Sequence, residues 1–261
     1  AVSRALEGMK VVLHCAGPFS ETADQMLEGC KKAGAHYFDI TGEIDVLEGC
    51  QQRDAEWKEA GIGVLPGVGF DVVPTDCLSK MLSDHMPDAT HLRLGFAGTG
   101  MKLSPGTTKT MIKRMPHGQS VRENGEPETI ETASRSDTIA FMPGKPVEAM
   151  AIGWGDVATA YHTTGIPNIE VYVPVPPEQK RMMGMAKSMG WLMGTDAFQG
   201  LARWYITKRV HGPTEEERET NTMTVWGEVR NASGHVIEKR LETPEGYKLT
   251  ALTAVTGVER L

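Results

Sequence analysis

No CxxC pair occurs in this chain of 261 residues, and no HxxxH or HExxH. The four cysteines, Cys15, Cys30, Cys50 and Cys77, stand far apart. That spacing excludes a small disulfide framework and gives zinc no starting point, so reduced thiols in a cytoplasmic protein are expected. Long apolar runs are missing as well: none approaches the ~20 residues that cross a bilayer. The run Met9–Leu13 is too short for a secretory signal, and Pro18 follows it. Positive charge is in deficit, with 27 Lys and Arg against 34 Asp and Glu, a net charge of −7. This removes the electrostatic case for nucleic acid as partner. There is no P-loop, no solenoid repeat and no low-complexity tract.

What is present is alternation. With 40% hydrophobic residues the chain can build one large domain or two medium ones. "KVVLHC" (10–15) reads as a buried strand. Ser20 offers an N-cap, Ala23, Met26, Leu27 and Cys30 follow at helical spacing, and Gly34 stops the helix. "HYFDI" (36–40) is the next strand, and Val46, Leu47, Cys50 and Trp57 predict one helix ending at Gly61. "IGVLP" (62–66) is a third strand, and Pro74, Leu78, Met81 and Leu82 open a third helix. Strand–helix repetition of this kind predicts a parallel sheet with helices on its faces, and a ligand crevice beyond the carboxyl ends of the strands.

After Pro87 the pattern changes. "THLRLGFAG" (90–98), "SVREN", "TIAFM", "VATAYHTT" and "NIEVYVPV" read as strands, and "TTKTMIKRM" (107–115) as a short helix. Residues 177–208 predict two helices broken near Gly194. "TMTVWGEVRNASGHVIEKRLET" predicts a hairpin around Asn-Ala-Ser-Gly, and "TALTAVTGVERL" a last helix. The fold class is therefore α/β: a parallel sheet over 1–88, then an α+β region over 89–261 with a largely antiparallel sheet.

Three loops leave the strand ends: "CAGPFS" (15–20), "TGE" (41–43) and "GVGFDVVP" (67–74). All carry glycine, which lets backbone approach a ligand. Three GxG look-alikes, at Gly61, Gly67 and Gly98, lack the third glycine of a dinucleotide fingerprint. Asp71 either faces a ligand or braces its own turn by bonding nearby N–H groups. Tyr161 and His162 are candidate proton donors for a reductase, or satisfied structural groups. Cys15 has no assigned base, so a hydrolase using Cys15, or a Ser near His162, ranks last. The Met- and Trp-rich stretch from 182 to 206 reads as helical core, dimer face or lipid-binding surface.

"VVLHCAGPFS", "AGAHYFDITGE" and "GVGFDVVPTD" resemble the later Rossmann strands of saccharopine dehydrogenase-like oxidoreductases. "SPGTTKTM", "WGDVATAYHTTGIPNIEVY" and "GPTEEER…WGEVRNASG" resemble the second domain of the bacterial branch, which includes trans-acting enoyl reductases. The resemblance implies an NADP or NAD cofactor and hydride transfer to a C=C, C=O or C=N bond. It places Cys15, Ala16, Gly17, Pro18 and Phe19 near the cofactor. Thr41, Gly42 and Glu43 fall in the nicotinamide pocket, and Gly69, Phe70 and Asp71 at the substrate cleft. It implies residues 1–88 as the C-terminal half of a Rossmann domain and 89–261 as a substrate or dimerisation domain. The family's first strand and glycine fingerprint have no counterpart here, so the expectation is a fragment with weak or no cofactor binding by itself. A small-molecule substrate is implied, a lipid or an amino-acid adduct, with a homodimer among the possible assemblies. For a carboxylate-rich adduct Arg93, Arg114, Arg122 and Arg135 are candidate ligands. A non-catalytic lipid- or partner-binding relative is the alternative.

Overall fold

The computed structural model describes residues 2–100, 102–108, 118–176 and 195–261. A short helix α1 (Val2–Ala5) precedes three parallel strands: β1 (Val11–His14), β2 (His36–Asp39) and β3 (Val64–Leu65), in that spatial order. Helix α2 (Phe19–Ala33) joins β1 to β2. It ends at Gly34, whose φ of 68° is left-handed backbone that other residues adopt at a cost. Ala23, Leu27 and Cys30 of α2 pack with Tyr37 and Trp57 in one apolar cluster.

The single helix expected from Val46 to Trp57 is two helices, α3 (Ile44–Gln52) and α4 (Asp54–Glu59), broken at Arg53. The break frees the Cys50 carbonyl, which accepts the indole N–H of buried Trp57 at 3.0 Å. The Arg53 guanidinium lies 4.1 Å over the same ring and bonds Glu28 and Glu56. Helix α5 (Val73–His85) starts on Val73 and Pro74, as the proline predicts.

Among the described residues the larger sheet has eight strands: β4 (Ala89–Gly98), β5 (Gln119–Glu123), β6 (Glu126–Ile130), β7 (Ser136–Met142), β8 (Lys145–Ile152), β9 (Asn168–Pro174), β10 (Thr222–Asn231) and β11 (Val236–Pro244). The main order is β11-β10-β4-β9-β5-β6, and the β7–β8 hairpin joins through β9. Only β4 and β9 run parallel; the other pairs are antiparallel. Period-two alternation puts Leu92, Leu94 and Phe96 of β4 on the face covered by α5 and a helix α6 (Asp156–Thr164). The opposite face holds Trp226, Tyr172, Phe141 and Ile139.

Helix α6 corrects the sequence reading, which made "VATAYHTT" a strand. Val157, Ala158 and Ala160 are fully buried in the main core, so this short segment seats a helical face between α5 and α3. Strands β6 and β8 were not foreseen; β6 is almost wholly exposed and has no apolar alternation to reveal it. Past β9 come α7 (Asp196–Arg209) and α8 (Glu215–Thr220), the latter opened by a capping box of Thr214 and Glu217. The expected helices over 107–115 and 177–208 fall largely outside the described residues; 105–108 and α7 are helical.

The last helix, α9 (Gly246–Glu259), returns to the parallel sheet. Its Ala254 packs with Phe38 and Val68, and Thr253 Oγ1 donates to the Val68 carbonyl at 2.6 Å. Ile44, Leu47, Phe70 and Val72 share one core with Leu92, Leu94 and Val225, so strand ends of the small sheet and the covered face of the large one are packed together.

Candidate functional site

Asp39, at the end of β2, organises the strand ends. It is fully buried. Its Oδ2 accepts the Tyr37 hydroxyl at 2.7 Å, and its Oδ1 accepts backbone N–H groups of Thr41 (3.0 Å) and Gly67 (2.8 Å). One carboxylate thus ties the loop after β2 to the loop after β3. His14 Nδ1 lies 3.1 Å from the Tyr37 oxygen and extends the chain to β1. Burial pushes the Asp39 pKa up, and the three donors pull it part of the way back.

Glu43 performs the matching task between β1 and β2. Its two carboxylate oxygens accept the N–H groups of Phe19 (2.8 Å) and Ser20 (3.1 Å). Ser20 was expected as the N-cap of α2, but the cap position is Pro18, which offers no side-chain acceptor. The acid from the neighbouring loop fills that role, so the positive end of α2 is already occupied by the protein's own charge. Thr41 Oγ1 accepts the Glu43 N–H at 3.0 Å. Thr41 and Glu43 are both buried, with their polar atoms engaged within the loops. Cys15, Ala16 and Gly17 are exposed at the end of β1, and Pro18 and Phe19 are partly covered. Neighbouring protein atoms that shield one side of the Cys15 thiol, and the Asp39 charge, push its pKa up, which disfavours a thiolate nucleophile.

Asp71 sits where the loop after β3 meets Gly42. A Cβ on residue 42 would lie 2.6 Å from Asp71 Oδ2. Only glycine admits the carboxylate there. On the other side, a Cβ on Gly155 would lie 3.2 Å from the Asp71 carbonyl and 2.9 Å from Val72 Cγ2. Among the described residues no hydrogen-bond donor reaches the Asp71 carboxylate. It therefore does not brace its own turn. The residue keeps some accessible surface, while protein atoms crowd it on most sides, and that enclosure pushes its pKa up to about 7. Phe70 beside it stacks edge-on against Phe96 (5.4 Å), which in turn meets Trp154 (4.7 Å). Gly69 and Phe70 are fixed from behind by α9: Thr250 Oγ1 accepts the Phe70 N–H at 3.0 Å.

Tyr161 and His162 join a different group. The Arg122 guanidinium lies 4.4 Å over the Tyr161 ring, donates to the Val157 and Gly125 carbonyls, and pairs with Glu48. His162 Nε2 is 3.5 Å from the second oxygen of Glu48. This network fastens α3 to β5 and α6. Arg93 pairs with Asp137 and Glu228, and Arg135 with Glu170 and Glu123. Of the four candidate arginines, Arg93, Arg122 and Arg135 are each paired within separate networks, and Arg114 lies outside the described residues. Among the described residues no cluster of His, Cys, Asp and Glu could hold a metal ion, and no helix is long and apolar enough to cross a membrane.

Sequence reasoning passed over two acids. Asp39 is legible in retrospect as an acid that ends an apolar strand and precedes Thr-Gly. Asp156, fully buried at the start of α6, was hidden inside the segment read as a strand.

No family model matches the chain. Curated relatives do. The "probable mitochondrial saccharopine dehydrogenase-like oxidoreductase" of Arabidopsis thaliana is 21% identical over 303 aligned residues, covering 96% of this chain and 66% of the relative. A human saccharopine dehydrogenase-like oxidoreductase is 29% identical over 108 residues, which is 39% of this chain and 25% of that protein. A "lipid droplet localized protein" of Caenorhabditis elegans is 28% identical over the same length. The chain thus spans just under two thirds of the plant relative and a quarter of the other two. Among solved structures, apo saccharopine dehydrogenase (L-Glu forming) of Saccharomyces cerevisiae superposes with a TM-score of 0.59 at 10% identity, over 99% of this chain and 78% of that one. In sequence the chain is similar to saccharopine dehydrogenase-like oxidoreductases, and it shares the fold of saccharopine dehydrogenase.

Proposed function

We propose that the chain carries the substrate side of a nicotinamide-dependent reductase, with Asp71 as the group that gives or takes the proton. The observation that carries this reading is the Asp71 carboxyl. It is free of hydrogen bonds among the described residues, shifted to about 7, and held against Gly42 beyond the ends of parallel strands. A group with that pKa exchanges protons near neutral pH.

The residues present fit the nicotinamide end of an NADP or NAD cofactor better than its pyrophosphate. Gly42 offers a small backbone surface against Asp71, and Ala16 and Gly17 are exposed at the end of β1. The N-terminus of α2 is filled by Glu43 and does not offer an anion site. The nicotinamide, when bound, supplies the hydride. Weak cofactor binding by the chain itself follows from this arrangement. The pairing of Arg93, Arg122 and Arg135 with carboxylates favours an uncharged enoyl-type acceptor over a carboxylate-rich amino-acid adduct.

The test is a titration of NADPH and NADH fluorescence, followed by turnover with α,β-unsaturated thioesters and imines. Saturable binding, with reduction that Asp71→Asn slows about 10²-fold or more while leaving binding unchanged, is the expected result. Absence of both binding and turnover would overturn it. Turnover untouched by Asp71→Asn would move the proton transfer to another group.

A further inference from the structure

Helix α7 carries its apolar residues outward. Leu201, Trp204 and Tyr205 expose 64%, 59% and 57% of their surface. They stand at i, i+3 and i+4, which is one face of a helix. Lys208, also exposed, continues that face at i+7, and exposed Arg209 follows in the last turn. On the opposite side Ile206 is buried and anchors the helix to the body. Among the described elements none packs extensively along α7. A helix of 14 residues without such packing is marginal in water.

We propose that α7 is an interfacial helix that lays Leu201, Trp204 and Tyr205 into the headgroup boundary of an anionic lipid layer. The chemistry of the face selects this occupant. Trp and Tyr combine an apolar ring with a polar tip, which suits a boundary that is dry on one side and wet on the other. Lys208 and Arg209 reach lipid phosphates while their stems lie along the apolar layer. The acidic helix α8 that follows has part of its charge covered, since Glu217 pairs with Lys102 and Glu219 with Lys248. The net charge of −7 works against binding of the molecule as a whole, so adsorption is local to α7, reversible and sensitive to salt. This inference is independent of the chemistry proposed at Asp71.

The experiment is co-sedimentation of the full 261-residue chain with vesicles. One set contains equal parts phosphatidylcholine and phosphatidylglycerol, the other phosphatidylcholine alone. The chain is expected to pellet with the anionic set and to be released by salt. Trp204→Ser with Tyr205→Ser lowers that partitioning about tenfold or more at unchanged circular dichroism. Lys208→Glu with Arg209→Glu keeps the apolar stripe and lowers it by about as much on anionic vesicles. The proposal is overturned if the anionic vesicles pellet nothing, if both variants bind like the parent, or if both vesicle sets bind equally. It is also overturned if the parent is a dimer in light scattering that Trp204→Ser dissociates without any vesicle binding, since the stripe is then a contact between copies.

Discussion

Asp71 and Gly42 share one small space: a side chain on residue 42 would begin 2.6 Å from Asp71 Oδ2 and 2.9 Å from Asp71 Cβ. Neither distance is available to real atoms, so the carboxylate keeps its place only because residue 42 has no Cβ. Gly42→Ala is expected to swing Asp71 away. Turnover in the proposed reduction should fall about 10²-fold, because misplacing a reacting group by about 1 Å is enough for that. The fold should lose no more than ~1–3 kcal/mol, the usual cost of overpacking at one site. Turnover equal to the parent's would separate Asp71 from the chemistry.

The pKa of Asp71 sets a direction in pH. Its folded pKa of about 7 lies above the ~3.9 of an unfolded aspartate. In the proposed role of proton donor, its carboxyl is fully protonated and neutral well below pH 7. The rate of reduction should therefore be flat at low pH and fall through an inflection near 7. Asp71→Asn should leave a low rate without that inflection. A parent profile that rises through pH 7 would assign Asp71 the opposite role, as a base.

The proton count at Asp156 and Thr75 favours one protonation state. The Thr75 hydroxyl has one hydrogen, yet its oxygen lies 3.0 Å from the Val72 carbonyl and 2.8 Å from Asp156 Oδ2. A carbonyl only accepts. Both contacts are satisfied when Asp156 is a neutral acid that donates to Thr75, which then donates to Val72. Burial pushes the Asp156 pKa well up, and the charges of Asp76 and Asp71 push it further. The folded state therefore holds a proton that the unfolded chain releases above its pKa of ~3.9. The stability that this proton contributes is complete below that unfolded value and is lost as pH rises towards the folded one. Asp156→Asn donates to Thr75 without titrating. Its melting temperature should gain on the parent as pH rises from acid to alkaline in a calorimetric series. Asp156→Ala loses the donor altogether, at about 1–3 kcal/mol. If Asn were as damaging as Ala, the ionised form would be the one the fold needs.

The parallel half of the molecule was legible because its signals are local. Strands β1 and β2 are short apolar runs, and Gly34 and Pro74 punctuate the helices where φ and a missing N–H demand it. The site was only half legible. Loop position could be read from strand ends, but whether Asp71 bonds its own turn depends on where Gly42 lies, and these residues are 29 apart in sequence. Tyr161 and His162 read either as proton donors or as structural groups, because their neighbours, Arg122 and Glu48, come from distant segments that the local sequence does not bring together. Glu43 is the same lesson in a different form: the sequence suggests a cap within its own chain neighbourhood, and the observed cap crosses from the next loop.

Glu43 gives the last prediction. Its carboxylate now satisfies the first free N–H groups of α2. Glu43→Ala should cost about 1–2 kcal/mol, the range for removing a helix cap. The same substitution uncovers two N–H donors at the positive end of a 15-residue helix. Inorganic pyrophosphate should then raise the melting temperature of Glu43→Ala while leaving the parent unchanged. Stabilisation of the parent by pyrophosphate to the same extent would mean that an anion already enters elsewhere, and that Glu43 does not guard this end of α2. Stabilisation of the variant alone would show that the acid that caps α2 occupies the place where an anion would otherwise sit, beside the exposed loop from Cys15 to Gly17.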